Sequence, residues 1–216
     1  MDFAQARLMM VDSQIRPSDV TDPLLLAAFR EIPRERFVPS AARNVAYADL
    51  ELEVGQGRYL LRPRHLAKLL QALAIRPGER ALEIAGATGY GAAVMAHAGL
   101  EVTSLEAVPE VSLAGRAALD ASGFGAVKSA STAIGNGWSE GGPFDVMVLN
   151  GAAERVPQAW FDQLAEGGRL ALIRRNGAAG TGMVYTKAGG AIGANPVFDA
   201  APPVLPDLKE TPGFRF

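Results

Sequence analysis

Between residues 78 and 107 the apolar positions fall into short runs separated by small residues. Ala81 to Ala85 is apolar apart from Glu83, the run ends at Gly86, Ala87 to Gly91 supplies turn residues, and Ala92 to Ala98 is alanine-rich. This pattern predicts a strand, a tight turn and a closely packed helix, with Glu101 to Glu106 as the next strand. Further apolar runs at Ala126 to Ala130, Phe144 to Asn150 and Arg169 to Arg174 alternate with helical segments near Glu110 to Ala121 and Gln158 to Leu164. Such alternation predicts a parallel sheet with helices on both faces. The first 75 residues differ. Helices are predicted over Phe3 to Ile15, Asp22 to Glu31 with Pro23 at its start, and Leu66 to Leu73. Between the last two, Tyr47 to Leu60 alternates and contains Gly55 and Gly57, which predicts short strands and a turn. After Asn176, Gly182 to Lys187 and Ala191 to Phe198 predict an antiparallel pair, followed by a proline-punctuated tail.

These segments divide the chain into an N-terminal extension (1–75), a core (76–176) and C-terminal strands and tail (177–216) of one domain. With 216 residues, 49% of them hydrophobic, it is long enough to bury a sizeable core. A net charge of −2 with the signs mixed gives no field to attract nucleic acid or an anionic membrane. There is no cysteine, hence no disulfide, thiolate nucleophile or cysteine metal site, and His65 and His97 do not make a metal cluster. The first residues carry neither a basic leader nor a long apolar stretch, so a cytoplasmic protein is expected.

Two carboxylates narrow the chemistry. Glu106 lies about 20 residues past the glycine turn, where an acidic side chain accepts hydrogen bonds from ribose hydroxyls. Glu83, inside the first core strand, is costly to bury unless paired, and its presence beside Glu106 favours S-adenosylmethionine over NAD as cofactor. A dehydrogenase would also want a Tyr-x-x-x-Lys pair, which is not found. The crevice is expected at the C-terminal ends of the first two core strands, open to a polypeptide.

With these landmarks in place, the chain resembles the protein-L-isoaspartate O-methyltransferase family. The resemblance runs from Gln14-Ile15-Arg16 through IPRERFVP (32–39), AYAD (46–49) and RPGERALEI (76–84), then resumes at GPFDVMVLNGAAERVP (142–157) and QLAEGGRLAL (163–172). It implies a Rossmann-like methyltransferase fold with a central, mostly parallel seven-stranded sheet. It also implies S-adenosylmethionine as cofactor and, as partner, a damaged protein whose isoaspartyl carboxylate is methylated, the enzyme being a monomer or homodimer. The cofactor-binding positions it implies are Glu83, Ala85, Gly86, Ala87, Gly89 and Tyr90 around the loop, Glu106 and Ala107 after the second strand, Ser131, Thr132 and Ala133 after the third, and Asn150 after the fourth.

Three departures stand out. Alanines 85 and 87 occupy glycine positions of the family's loop, and any left-handed backbone there costs about 1–2 kcal/mol. Leu61 occupies the serine position of the substrate segment, with Arg62 beside it either replacing the lost contact by a charged one or solvating a turn. Ala133 stands near an aspartate position on the adenine side. A changed substrate, or a degenerate homologue acting by binding, is the alternative these losses allow. Among other residues, Trp138 and Tyr90 are candidates to flank the adenine, His65 to face the pocket or be a satisfied surface or core histidine, and His97 to cap its helix. Arg34 and Arg36 are expected as an ion-pair set, and Arg174-Arg175 as a solvated strand end.

Overall fold

The computed structural model describes residues 1–210; the last six residues of the expected tail lie outside the described residues. Seven strands form one sheet: β3 (Arg80–Ile84), β4 (Glu101–Leu105), β5 (Lys128–Ala130), β6 (Phe144–Ala153), β7 (Leu164–Asn176), β8 (Ala179–Ala188) and β9 (Ala191–Asp199). Their order is β5-β4-β3-β6-β7-β8-β9, parallel from β5 to β7 and antiparallel from β7 to β9. The strand order therefore reverses between β3 and β6, which places the crevice of such sheets at their C-terminal ends. A separate two-stranded hairpin, β1 (Leu52–Gly55) with β2 (Arg58–Leu60), lies beside those ends, with β2 packed against β6.

The helices are α1 (Phe3–Met10), α2 (Pro23–Glu31), α3 (Pro63–Ala72), α4 (Tyr90–His97), α5 (Pro109–Ala121) and α6 (Gln158–Asp162). Three expectations are corrected. The first helix does not continue as regular α-helix to Ile15: Val11–Ile15 is a π-helical turn, whose wider winding keeps Val11 and Ile15 both buried. The third starts at Pro63 rather than Leu66, since a proline at the first helical position has no N–H to leave unpaired. The helix at Gln158 ends at Asp162, because Leu164 already pairs with Phe144 in the sheet.

The core is built on both faces of the sheet. On one, Phe29 and Phe37 pack edge-on against Tyr90 at ring distances of 6.1 and 5.6 Å, joining the N-terminal segment to α4. On the other, buried Trp160 hydrogen-bonds Ile134 O at 2.8 Å among Phe144, Leu205 and Leu208. Among the described residues no helix is long and apolar enough to cross a membrane.

Candidate active site

After β3 the chain turns through Ala85, Gly86, Ala87, Thr88 and Gly89 into α4. Ala85 and Ala87 are both left-handed, with φ of 52° and 50°, so both alanines sit where a Cβ costs about 1–2 kcal/mol. Gly86 and Gly91 are needed for another reason. A Cβ at Gly86 would strike Ser104 Oγ and come within 2.8 Å of Glu83 Oε2, and one at Gly91 would strike Glu83 Oε1. The buried carboxyl of Glu83 thus dictates both glycines.

Glu83 is fully buried. Its Oε2 accepts hydrogen bonds from Ala92 N at 3.0 Å and Ser104 Oγ at 3.3 Å, and its Oε1 has no partner among the described residues. Burial pushes its pKa up to about 8, the Ala92 and Ser104 hydrogen bonds opposing this only in part. The carboxyl therefore lies beneath the loop, at the start of α4.

Glu106, 2% exposed, is engaged by its own chain. Ala87 N donates to its Oε2 at 3.0 Å, while Val108 N at 3.0 Å and Arg58 Nε at 2.9 Å donate to its Oε1. Arg58 comes from the hairpin and is itself 2% exposed. Its Nη1 donates to Asp207 Oδ2 at 2.7 Å. Burial opposes the arginine's charge, but Glu106 and Asp207 outweigh this and raise its pKa. Arg58 and Asp207 are the two site residues that the sequence analysis did not single out. The only local signal was an arginine set directly after Gly55-Gln56-Gly57 at the tip of a predicted hairpin.

The hairpin is fastened from three sides. Asn150 Nδ2 donates to Tyr59 O at 3.0 Å and to Ala85 O at 3.3 Å, and its Oδ1 accepts from Leu61 N at 3.3 Å. Buried Arg34 donates to Ala46 O at 2.8 Å and Leu61 O at 2.9 Å, with its guanidinium 4.7 Å from the Tyr90 ring centre. Pro206 closes over the tip, where a Cβ on Gly57 would lie 3.2 Å from Pro206 Cγ. Leu205 N and Leu208 O hold this tail to Ala152 O and Glu154 N, each at 3.0 Å.

Several expectations change accordingly. Between the loop and α5, a cavity lined by Ala87, Gly89, Glu106 and Leu119 has a volume of only about 10 Å³, and on its other side Glu106 faces Arg58. Arg62 is neither a free anion receptor nor a solvated turn residue, because Glu51 holds it in bidentate fashion at 2.7 and 2.6 Å. Burial raises the Glu51 pKa, but contacts with His65 and Arg62 outweigh this and hold it at about 2. Leu61 is 1% exposed, its side chain in the core. Tyr90 packs under the N-terminal segment and does not flank the crevice. Arg34 and Arg36 bind backbone carbonyls rather than carboxylates. Arg175 does not merely solvate a strand end: it holds Ala201 O at 3.0 Å and Pro202 O at 2.6 Å and so fixes the start of the tail. His97 pairs with Glu31 at 2.9 Å, linking α4 to α2. Ser131 and Ala133 are exposed, Thr132, Trp138 and Ala107 half-buried.

A parallel sheet with a small-residue loop after β3, and buried carboxylates in β3 and just past β4, defines a protein of the S-adenosylmethionine-dependent methyltransferase fold. The sequence profile of protein-L-isoaspartate(D-aspartate) O-methyltransferase matches residues 6–193, and the chain belongs to this family. It is 41% identical to protein-L-isoaspartate O-methyltransferase 1 of Rhodopseudomonas palustris over 79% of this chain and 69% of the relative. It is 40% identical to protein-L-isoaspartate O-methyltransferase of Gloeobacter violaceus over 74% of this chain and 78% of that protein. Two solved structures share the fold. A protein-L-isoaspartate O-methyltransferase at 24% identity has a TM-score of 0.77, covering 93% of this chain and 64% of its own. A Plasmodium falciparum protein described as a beta-aspartate methyltransferase, solved with S-adenosyl-L-homocysteine, is 19% identical with a TM-score of 0.80, covering 96% and 100%.

Proposed function

We propose that this protein is a cytoplasmic, S-adenosylmethionine-dependent methyltransferase that methylates the misplaced carboxylate of isoaspartyl residues in damaged proteins. The observation that carries this reading is the family match across residues 6–193, supported by relatives at about 40% identity that bear the name of this activity. The positions such chemistry depends on are present: Glu83, Gly86, Gly89 and Glu106 stand around one loop at the ends of β3 and β4. The acceptor carboxylate, with a pKa near 4, is ionised at neutral pH and needs no general base. What the chain has to supply is alignment of the acceptor and exclusion of water, effects worth on the order of 7–11 kcal/mol when both reacting groups are held in place. In this reading Glu106 is the acceptor for the ribose hydroxyls.

The test is transfer of a radiolabelled methyl group from S-adenosylmethionine to an isoaspartyl peptide, with the matching aspartyl peptide as control. Base-labile label on the isoaspartyl peptide alone is the expected result. Label on neither peptide, from protein shown to be folded, would overturn the proposal.

A further inference from the structure

The ribose acceptor Glu106 is engaged by the protein's own charge. Arg58 reaches Glu106 at 2.9 Å and Asp207 at 2.7 Å, bringing together three parts of the chain: the hairpin tip, the end of β4 and the C-terminal tail. The guanidinium is buried and the tail folds over the hairpin through Pro206 at Gly57.

We infer that Arg58, clasped by Glu106 and Asp207, is a latch that competes with the cofactor's ribose for Glu106. The inference rests on the function proposed above. Glu106 has one set of carboxylate lone pairs, three of them taken by Ala87 N, Val108 N and Arg58 Nε. Of these three donors the two amides belong to the loop and to the segment after β4. Arg58 is the one that a movement of the hairpin withdraws without unfolding the sheet. Withdrawal has a free-energy cost, so the apparent affinity for the cofactor is the intrinsic affinity reduced by the fraction of molecules that are unlatched. The hairpin's two strands pair with each other and not with the main sheet, so Arg58 at its tip can swing away while Asn150 and Arg34 still hold Tyr59 and Leu61 at its base. Asp207, at 42% side-chain exposure, is the outer half of the clasp.

The experiment is calorimetric titration of S-adenosylhomocysteine into the wild-type protein, Arg58→Gln and Asp207→Asn. Arg58→Gln keeps a neutral donor near Glu106, and Asp207→Asn alters only the exposed end of the clasp, so the second variant serves if the first is poorly folded. The latch requires Arg58→Gln to bind at least about tenfold more tightly than wild type, the scale of losing one charged hydrogen bond, with Asp207→Asn in between. Equal affinity in all three proteins would overturn the latch and leave the proposed function standing. Binding in none of them, with all three folded, would overturn the function and the latch together.

Discussion

Two carboxylates sit about one loop apart, both buried, and the chain treats them in opposite ways. Glu106 receives a guanidinium from Arg58 and two backbone amides. Glu83 receives one amide and one hydroxyl, no cation among the described residues, and is pushed up to about 8. Their exposures of 2% and 0% are nearly the same. The difference teaches that partners rather than depth decide how a buried acid is used: Glu106 is held by a guanidinium that has to be released, Glu83 as a neutral acid that shapes the loop above it.

Removing the cation from one side of this comparison should have the largest effect. Arg58→Met leaves Glu106 and its charge buried without a counter-ion, and is expected to lower the unfolding free energy by about 3–5 kcal/mol at neutral pH, measured by urea denaturation. A loss below about 1 kcal/mol would mean that Glu106 finds water or another donor, and the contrast between the two acids would dissolve.

A second measurement concerns pH. Glu83 holds its proton in the folded state up to about pH 8, whereas an ordinary glutamate gives it up near 4.5. Between these values the folded protein binds a proton that the unfolded chain does not, so this residue makes stability fall as pH rises from about 4.5 to about 8. Glu83→Gln is expected to remove that slope and leave the protein more stable than wild type near pH 8, by thermal denaturation across the range. Parallel curves for the two proteins would show that Glu83 is ionised in the fold.

The smallest effect is expected in the loop between the two acids. Ala85→Gly and Ala87→Gly each relieve a left-handed alanine, worth about 1–2 kcal/mol, but give back about 0.4–1 kcal/mol to the entropy of the unfolded chain. A net gain of between zero and about 1.6 kcal/mol per site is expected from chemical denaturation. A loss at either site would mean the methyl group packs favourably enough to offset its backbone strain.

Most of the sheet was legible in the sequence because its elements announce themselves locally. β3, β4 and β6 are apolar runs bounded by glycine or charge, and the loop alanines could be flagged from the resemblance alone, although their positive φ needed the structure. The site was legible only in part. Glu83 and Glu106 stood out because an acid inside or at the end of an apolar run is unusual. Arg58 did not, since its partners lie 48 and 149 residues away and nothing in the neighbouring residues encodes them. Arg62 shows the same limit from the other side: an arginine in the substrate segment invites a ligand-binding role, but a glutamate eleven residues earlier, Glu51, claims it. Two of the three misplaced helix ends, at Leu66 and Leu164, turned on a proline start and on a sheet pairing, the first local and readable, the second not.

The distance between the two halves of the clasp also orders events during synthesis. A chain made from its N-terminus presents Arg58 and Glu106 to each other when about half of it exists, and its sheet strands can assemble as they emerge. Pro206 and Asp207 emerge only after the last strand of the sheet. A nascent chain synthesised only as far as that strand therefore carries an assembled sheet and an unfastened roof, and the clasp closes once the residues beyond Asp199 have followed.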